Sequence, residues 1–276
     1  MILIWELSGG LGNQLYQYSK SLEIKNKYKD IKIFYVYFKR LHKKSHEYPR
    51  LNEIFKKKIK VYSGFKILIL KYLFSKILSK RNSFFYYHSD NWWINQKEVE
   101  NNNLKICKIA YVSSLFQSLP DTKALNYIKN NFIFKFNDKL EYAVLHIRLG
   151  DYLNKKNKKE IGLMSNKYYQ AVYKVLKDKT KKVFIITNGN KNEVEKILEI
   201  SKNDLQIVTS NNDLDDFQLI INASYIGMPN SSFSIWGAYL SNAKIVYVPK
   251  IWLPSIPSSL IRTKSLYFKK WNIVSE

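Results

Sequence analysis

The sequence predicts an α/β protein built as two doubly wound, parallel-sheet halves with a ligand cleft between them. Three observations carry that reading. The chain opens with a strand, a glycine turn, a helix and a second strand. Residues 142–248 alternate short apolar runs with segments of helical period. And 276 residues, 46% of them hydrophobic, can bury one large core or two modest ones.

Residues 2–7 (Ile-Leu-Ile-Trp-Glu-Leu) read as a buried strand, and Ser8 to Gly12 as the turn after it. From Asn13 to Lys27 the apolar residues Leu15, Tyr18 and Leu22 fall at helical spacing, and a second strand spans 31–38. Such a unit requires parallel strands. Residues 39–60 are basic and irregular. Residues 61–80 read as a helix. Its Lys66, Lys71 and Lys76 are spaced by five and so spread around the wheel, which fits a helix packed on the protein better than one lying on a membrane. The pattern leaves the elements within 82–135 unresolved. The second half is more regular, with strands at 142–148, 182–187, 204–208, 223–228 and 244–248. The helices between them lie at 166–177, 191–201, 216–222 and 232–241. The boundary falls at 136–141, giving halves of 1–138 and 139–276.

Composition narrows the chemistry. Cys107 is the only cysteine, so no disulfide framework can form within the chain, and the residue reads as a small buried apolar group. His42 and His46 have no glutamate between them and no third ligand in view, and they read as solvated. No metal is expected. Met1 leads straight into an apolar strand without a basic leader or cleavage site, which points to a cytoplasmic protein. The formal charge is +24, with 25 basic and 10 acidic side chains in residues 1–138 against 21 and 12 in residues 139–276. Such an excess attracts anionic partners: phosphorylated substrates, anionic lipid or nucleic acid. A nucleic-acid module would interleave aromatic with basic residues. The aromatic run at 84–93 lacks the basic residues and fits a core or a sugar-stacking wall better.

Three strand ends carry candidate chemistry, because ligands in such sheets sit at the carboxyl ends of the strands. The first is Gly9-Gly10-Leu11-Gly12-Asn13-Gln14. Its glycines let a backbone approach a ligand closely at a helix N-terminus. The G-x-G-x-x-G spacing and a terminal acidic residue on the next strand are absent, which excludes a dinucleotide site, and no Gly-Lys-Ser/Thr marks a P-loop. A plain tight turn remains the alternative. The second is His146-Ile147-Arg148-Leu149-Gly150-Asp151-Tyr152. His146 and Arg148 are two apart and share a face of the strand. An arginine fork matches phosphate oxygens. The third is Asn230-Ser231-Ser232-Phe233-Ser234, ahead of an apolar helix. It is either a plain N-cap or a phosphate cradle. Asp216, at the start of the preceding helix, is either a helix-terminal charge or a carboxylate for the paired N–H donors of guanine.

Together these segments resemble the α-1,2-fucosyltransferase family (glycosyltransferase family 11). That family has Gly-Gly-Leu-Gly-Asn-Gln near its start, then His-x-Arg-Arg-Gly-Asp-Tyr, then Asn-Ser-Ser-Phe-Ser-x-Trp. They stand here at 9–14, 146–152 and 230–236. The resemblance implies a GT-B fold of two Rossmann-like domains, with the acceptor on the first and the nucleotide on the second. It implies inverting, metal-independent transfer from GDP-β-L-fucose to the 2-hydroxyl of a galactoside in a surface glycan. The acceptor would be lipid-linked and the enzyme peripheral at the inner membrane face, with no nucleic-acid partner. By motif position, Arg148 would hold the pyrophosphate and stabilise the leaving GDP. His146 and Asp216 would contact guanosine, with Asn230, Ser231, Ser232 and Phe233 lining the pocket. Gly10, Gly12 and Asn13 would approach the phosphate and sugar. Glu6, Asp90 and Asp151 are candidate bases on chemistry alone. The chain departs from the family at Leu149, where a second arginine is usual, and at Asn188, where the family carries a Ser-Asp-Asp strand end. Those changes leave other GDP-sugars open as donors.

Overall fold

The computed structural model describes residues 1–28, 30–37, 49–64, 69, 72–73, 85–89, 108–134, 141–208, 212–253 and 266–275, with the backbone alone at 85–89, 151, 156 and 160. Two compact units result, Met1–Ile133 and Phe134–Glu276.

The first unit is a five-stranded, wholly parallel sheet. Its strands are β1 (Ile2–Leu7), β2 (Lys32–Tyr37), β3 (Val61–Ser63), β4 (Phe85–Ser89) and β5 (Ile109–Ser113), in the order β3-β2-β1-β5-β4. Helix α1 (Leu11–Lys27) follows β1 and α2 (Thr122–Asn130) follows β5. Trp5, Leu15, Tyr16 and Tyr111 fill the interior. The helix expected from residue 61 does not begin there. Val61–Ser63 instead pairs as an edge strand beside Tyr35–Tyr37, because a β-branched and an aromatic residue fit a sheet edge better than a helix start. Residues 69, 72 and 73 are helical, and the rest of that segment lies outside the described residues.

The second unit is a six-stranded parallel sheet of β6 (Ala143–Ile147), β7 (Val183–Thr187), β8 (Gln206–Val208), β9 (Tyr225–Gly227), β10 (Ile245–Pro249) and β11 (Asn272–Val274). Its order is β11-β10-β9-β6-β7-β8. Counted within the unit this is the Rossmann order, and the chain reverses direction across the sheet between β6 and β9. All five residues of β6 are buried, as expected of a central strand covered on both faces. Helices α3 (Lys155–Glu160), α4 (Asn166–Lys177), α5 (Lys191–Leu198), α6 (Asp213–Ile221) and α7 (Ser232–Leu240) connect the strands. Local chemistry sets their ends. The Ser165 hydroxyl accepts from Tyr168 N–H at 3.1 Å to start α4, and Asn190 and Glu193 form a reciprocal capping box on α5. Helix α6 opens at Asp213, three residues ahead of expectation, because Asn212 accepts from Leu214 N–H at 3.0 Å. Asp213, Asp215 and Asp216 then complement the helix dipole.

Candidate active site

The second sheet changes direction between β6 and β9, and His146–Tyr152 span the end of β6 and the loop after it, while Asn230–Phe233 span the end of the loop after β9 and the start of α7. Open α/β sheets bind ligands at that point. His146 is 3% exposed. Its ring meets Phe233 edge-on with centroids 6.0 Å apart, and Phe233 in turn packs on Phe217 at 5.0 Å. Nδ1 of His146 is buried and has no hydrogen-bond partner among the described residues. Burial, helped by the charge of Arg148, holds the imidazole pKa down at about 3. The ring is therefore neutral at ordinary pH and suited to a hydrogen bond with a ligand rather than to an ion pair.

Arg148 follows at the strand end. Its N–H donates to the Tyr169 hydroxyl at 3.3 Å, and its guanidinium lies over the Tyr152 ring at 5.3 Å. The Tyr152 hydroxyl donates to the carbonyl of Asn230 at 3.1 Å. The Tyr168 hydroxyl donates to the carbonyl of Met228 at 2.6 Å, and Asn230 Nδ2 to that of Gly162 at 3.3 Å. The platform under Arg148 is thus tied to the loop that opens α7. Ser231 stands at the N-cap of α7 and is 4% exposed, yet its side chain makes no capping bond. The first N–H groups of α7 belong to Ser232 and Phe233, and helix starts of this kind favour anions. Asp216 is half-buried one residue before Phe217.

The two departures from the family pattern meet in space. Leu149 N–H donates to Asn188 Oδ1 at 2.8 Å. Asn188 packs so close to Gly150, where φ is +36°, that a Cβ there would stand 2.1 Å from its Nδ2. Leu149 is 5% exposed, and its Cδ1 would lie 2.5 Å from a Cβ on Gly189. An apolar contact and neutral hydrogen bonds, among them Tyr152 N–H to the Leu149 carbonyl at 2.7 Å, hold the turn behind Arg148.

In the first unit, the loop after β1 turns at Gly9, with φ +74°. Its amides serve two purposes. Gln14 and Gln17 are fully buried and structural. Gln14 Nε2 donates to the Gly9 carbonyl at 2.9 Å, while Gln17 Oε1 accepts from Ser8 N–H at 2.8 Å and Gln17 Nε2 donates to the Ser114 carbonyl at 3.1 Å. Gly10 is the N-cap of α1, and Gly12 is buried in its first turn. Asn13 is half-buried, and its Oδ1 accepts from Gln117 Nε2 at 3.0 Å. Among the candidate bases, Glu6 is 4% exposed and accepts the Tyr111 hydroxyl at 2.8 Å. The side chain of Asp151 and the whole of Asp90 lie outside the described residues. Among the described residues no three His, Cys, Asp or Glu side chains gather as a metal site, and no helix is long and apolar enough to cross a membrane.

The family model for glycosyl transferase family 11 matches residues 3–275. The chain belongs to glycosyl transferase family 11. Among curated proteins it is 22% identical over 136 residues to galactoside alpha-(1,2)-fucosyltransferase 2 of Bos taurus, covering 47% of this chain and 40% of that protein. It is 33% identical over 107 residues to an alpha-1,2-colitosyltransferase of Escherichia coli, covering 36% of each. The chain thus spans well under half the length of the curated relatives it matches. Among solved structures, E. coli heptosyltransferase WaaC with ADP superposes with a TM-score of 0.53 at 11% identity, covering 100% of this chain and 93% of that one. Fucosyltransferase NodZ from Bradyrhizobium gives 0.50 at 12%, covering 87% and 93%. These likenesses are of fold, and they make it the GT-B fold of paired Rossmann-like units.

For this member of the family, sequence reading brought His146, Arg148, Ser231 and Phe233 to one edge of one sheet. It missed the supports. Tyr152 stood inside the quoted motif without a role, and Tyr169 and Phe217 fell within the expected helices 166–177 and 216–222 without one. Gln117 lies in the stretch whose elements the pattern could not resolve.

Proposed function

We propose that this chain is an inverting glycosyltransferase that moves L-fucose from GDP-β-L-fucose to the 2-hydroxyl of a galactoside, without a metal. The observation that carries the reading is the clustering of Arg148, a neutral buried His146 and the uncapped start of α7 at the point where the second sheet changes direction. Breaking a glycosyl phosphate leaves charge on the pyrophosphate. A preorganised guanidinium and helix N–H groups are suited to stabilise it. In this reading Arg148 meets the pyrophosphate, His146 and Asp216 the guanosine, and Asn230, Ser231, Ser232 and Phe233 the phosphate and base. Gly10, Gly12 and Asn13 of the first unit serve the phosphate and sugar. The base stays among Glu6, Asp151 and Asp90, and the burial of Glu6 against Tyr111 ranks it lowest.

The colitosyltransferase relative favours a second donor. Colitose is fucose without its 3-hydroxyl, and Leu149 removes a cation from beside the site. Incubation with GDP-L-fucose or GDP-colitose, a galactoside acceptor and EDTA separates the two by the product formed. Transfer to a position other than the 2-hydroxyl, or a strict metal requirement, would contradict the reading. The basic excess of the first 138 residues supports a peripheral enzyme at the inner membrane face acting on a lipid-linked acceptor. Binding to anionic vesicles that weakens as salt is added tests that part.

A further inference from the structure

We infer that Gln117 is a positioning residue for Asn13, and that the Ser114–Gln117 turn is part of the donor-binding edge of the first unit. The inference rests on the proposed reading, in which Asn13 serves the donor. The first sheet reverses its order between β1 and β5, so the loops after those two strands flank the place where such sheets bind ligands. The glycine loop follows β1, and Ser114–Gln117 follow β5.

The second loop is held in an unusual shape. Phe116 has φ +51°, a left-handed conformation that a bulky residue keeps only where its surroundings impose it. Its ring is 5% exposed and stacks on Trp5, with centroids 5.0 Å apart and planes 25° apart. The Ser114 carbonyl is pinned by Gln17 at 3.1 Å. Just past those anchors the chain turns the Gln117 amide onto Asn13, Nε2 to Oδ1, at 3.0 Å. A bond to the oxygen fixes which end of the Asn13 amide is which. Its Nδ2 lies over Gly9, 2.7 Å from where a Cβ would stand, so any side chain at Gly9 would displace it. Asn13 therefore faces a ligand as a hydrogen-bond donor, the polarity that phosphate or sugar oxygens require.

Steady-state transfer from GDP-L-fucose to lactose tests this with four variants: Asn13→Ala, Gln117→Leu, the double variant and Gln117→Glu. Gln117→Leu should lose about tenfold in kcat/KM while keeping its melting temperature within a few degrees. The double variant should be no worse than Asn13→Ala alone, because Gln117 acts through Asn13. An ionised glutamate at position 117 can only accept, so it would turn the Asn13 amide around. The deficit of Gln117→Glu should therefore shrink as pH falls towards about 4.3, where a protonated carboxyl donates as the amide does. Additive losses in the double variant, a pH-independent deficit in Gln117→Glu or full activity in Gln117→Leu would each overturn the inference. Full activity in Asn13→Ala would instead remove Asn13 from the donor site and overturn the reading beneath it.

Discussion

His146 and Arg148, two residues apart on one strand, are set against each other by burial. Burial, helped by the cation beside it, keeps the imidazole neutral, and that leaves Arg148 the positive charge of the pair. Two predictions follow from this arrangement. Arg148→Ala should lower kcat by at least about a hundredfold, the scale of losing a charge-stabilising donor worth about 3–4 kcal/mol, while the melting temperature stays within a few degrees. A variant that kept most of its rate would show that the guanidinium does not meet developing charge. The second prediction concerns pH. The unfolded imidazole titrates near 6.5 and the folded one at about 3, so between those values the unfolded state binds the extra proton. The stability that His146 contributes is therefore complete above about pH 6.5 and falls as the solution is acidified towards pH 3. His146→Asn should show a flatter loss of melting temperature over that window than the parent. Equal slopes would mean that the imidazole is not buried neutral. At this scale the sequence was legible where a side chain's chemistry names its task, as with an arginine fork at a strand end. It was not legible where the task is support. Nothing in Gln117, Tyr169 or Asn188 announces that its partner lies 104, 21 or 39 residues away.

Elements were legible where local signals agree. Helix α4 was expected over 166–177 and is found there, because Ser165 caps it and its apolar residues keep helical period. Helix α5 stops at Leu198, short of the expected 201, because Glu199 turns left-handed at φ +55°. The strand β11 and the helix α2 went unseen. The first is three residues paired to β10, and the second a nine-residue helix started by Asp121 accepting from Ala124 N–H at 2.6 Å. Tertiary pairing, not local period, defines such short pieces. One element-scale prediction concerns the support of the anion site. Helix α7 packs on α6 through Gly237, where an added Cβ would stand 2.5 Å from Ile220 Cγ2. Gly237→Ala should cost about 1–3 kcal/mol of stability through overpacking and lower the melting temperature by several degrees. An unchanged melting temperature would show that the two helices can separate at no cost.

The whole molecule pairs a sheet whose turning point is built of amides with one whose turning point is built of arginine, histidine and an uncapped helix start. The alternation of strands and helices made the second unit easy to read. The first was harder, because its strands β3, β4 and β5 lie far apart in sequence around basic and aromatic segments. The charge of +24 favours anionic partners, and in the proposed reading the site in the second unit takes a nucleoside diphosphate. The most direct measurement is the melting temperature of the full chain in EDTA with GDP, UDP or ADP added separately. A ligand bound only by the native state must raise it, by about 2.7 kcal/mol of stability at a hundredfold excess over Kd. The account predicts a rise with GDP that is lost in Arg148→Ala, and little or none with UDP or ADP. No rise with GDP, or an equal rise with all three, would contradict it.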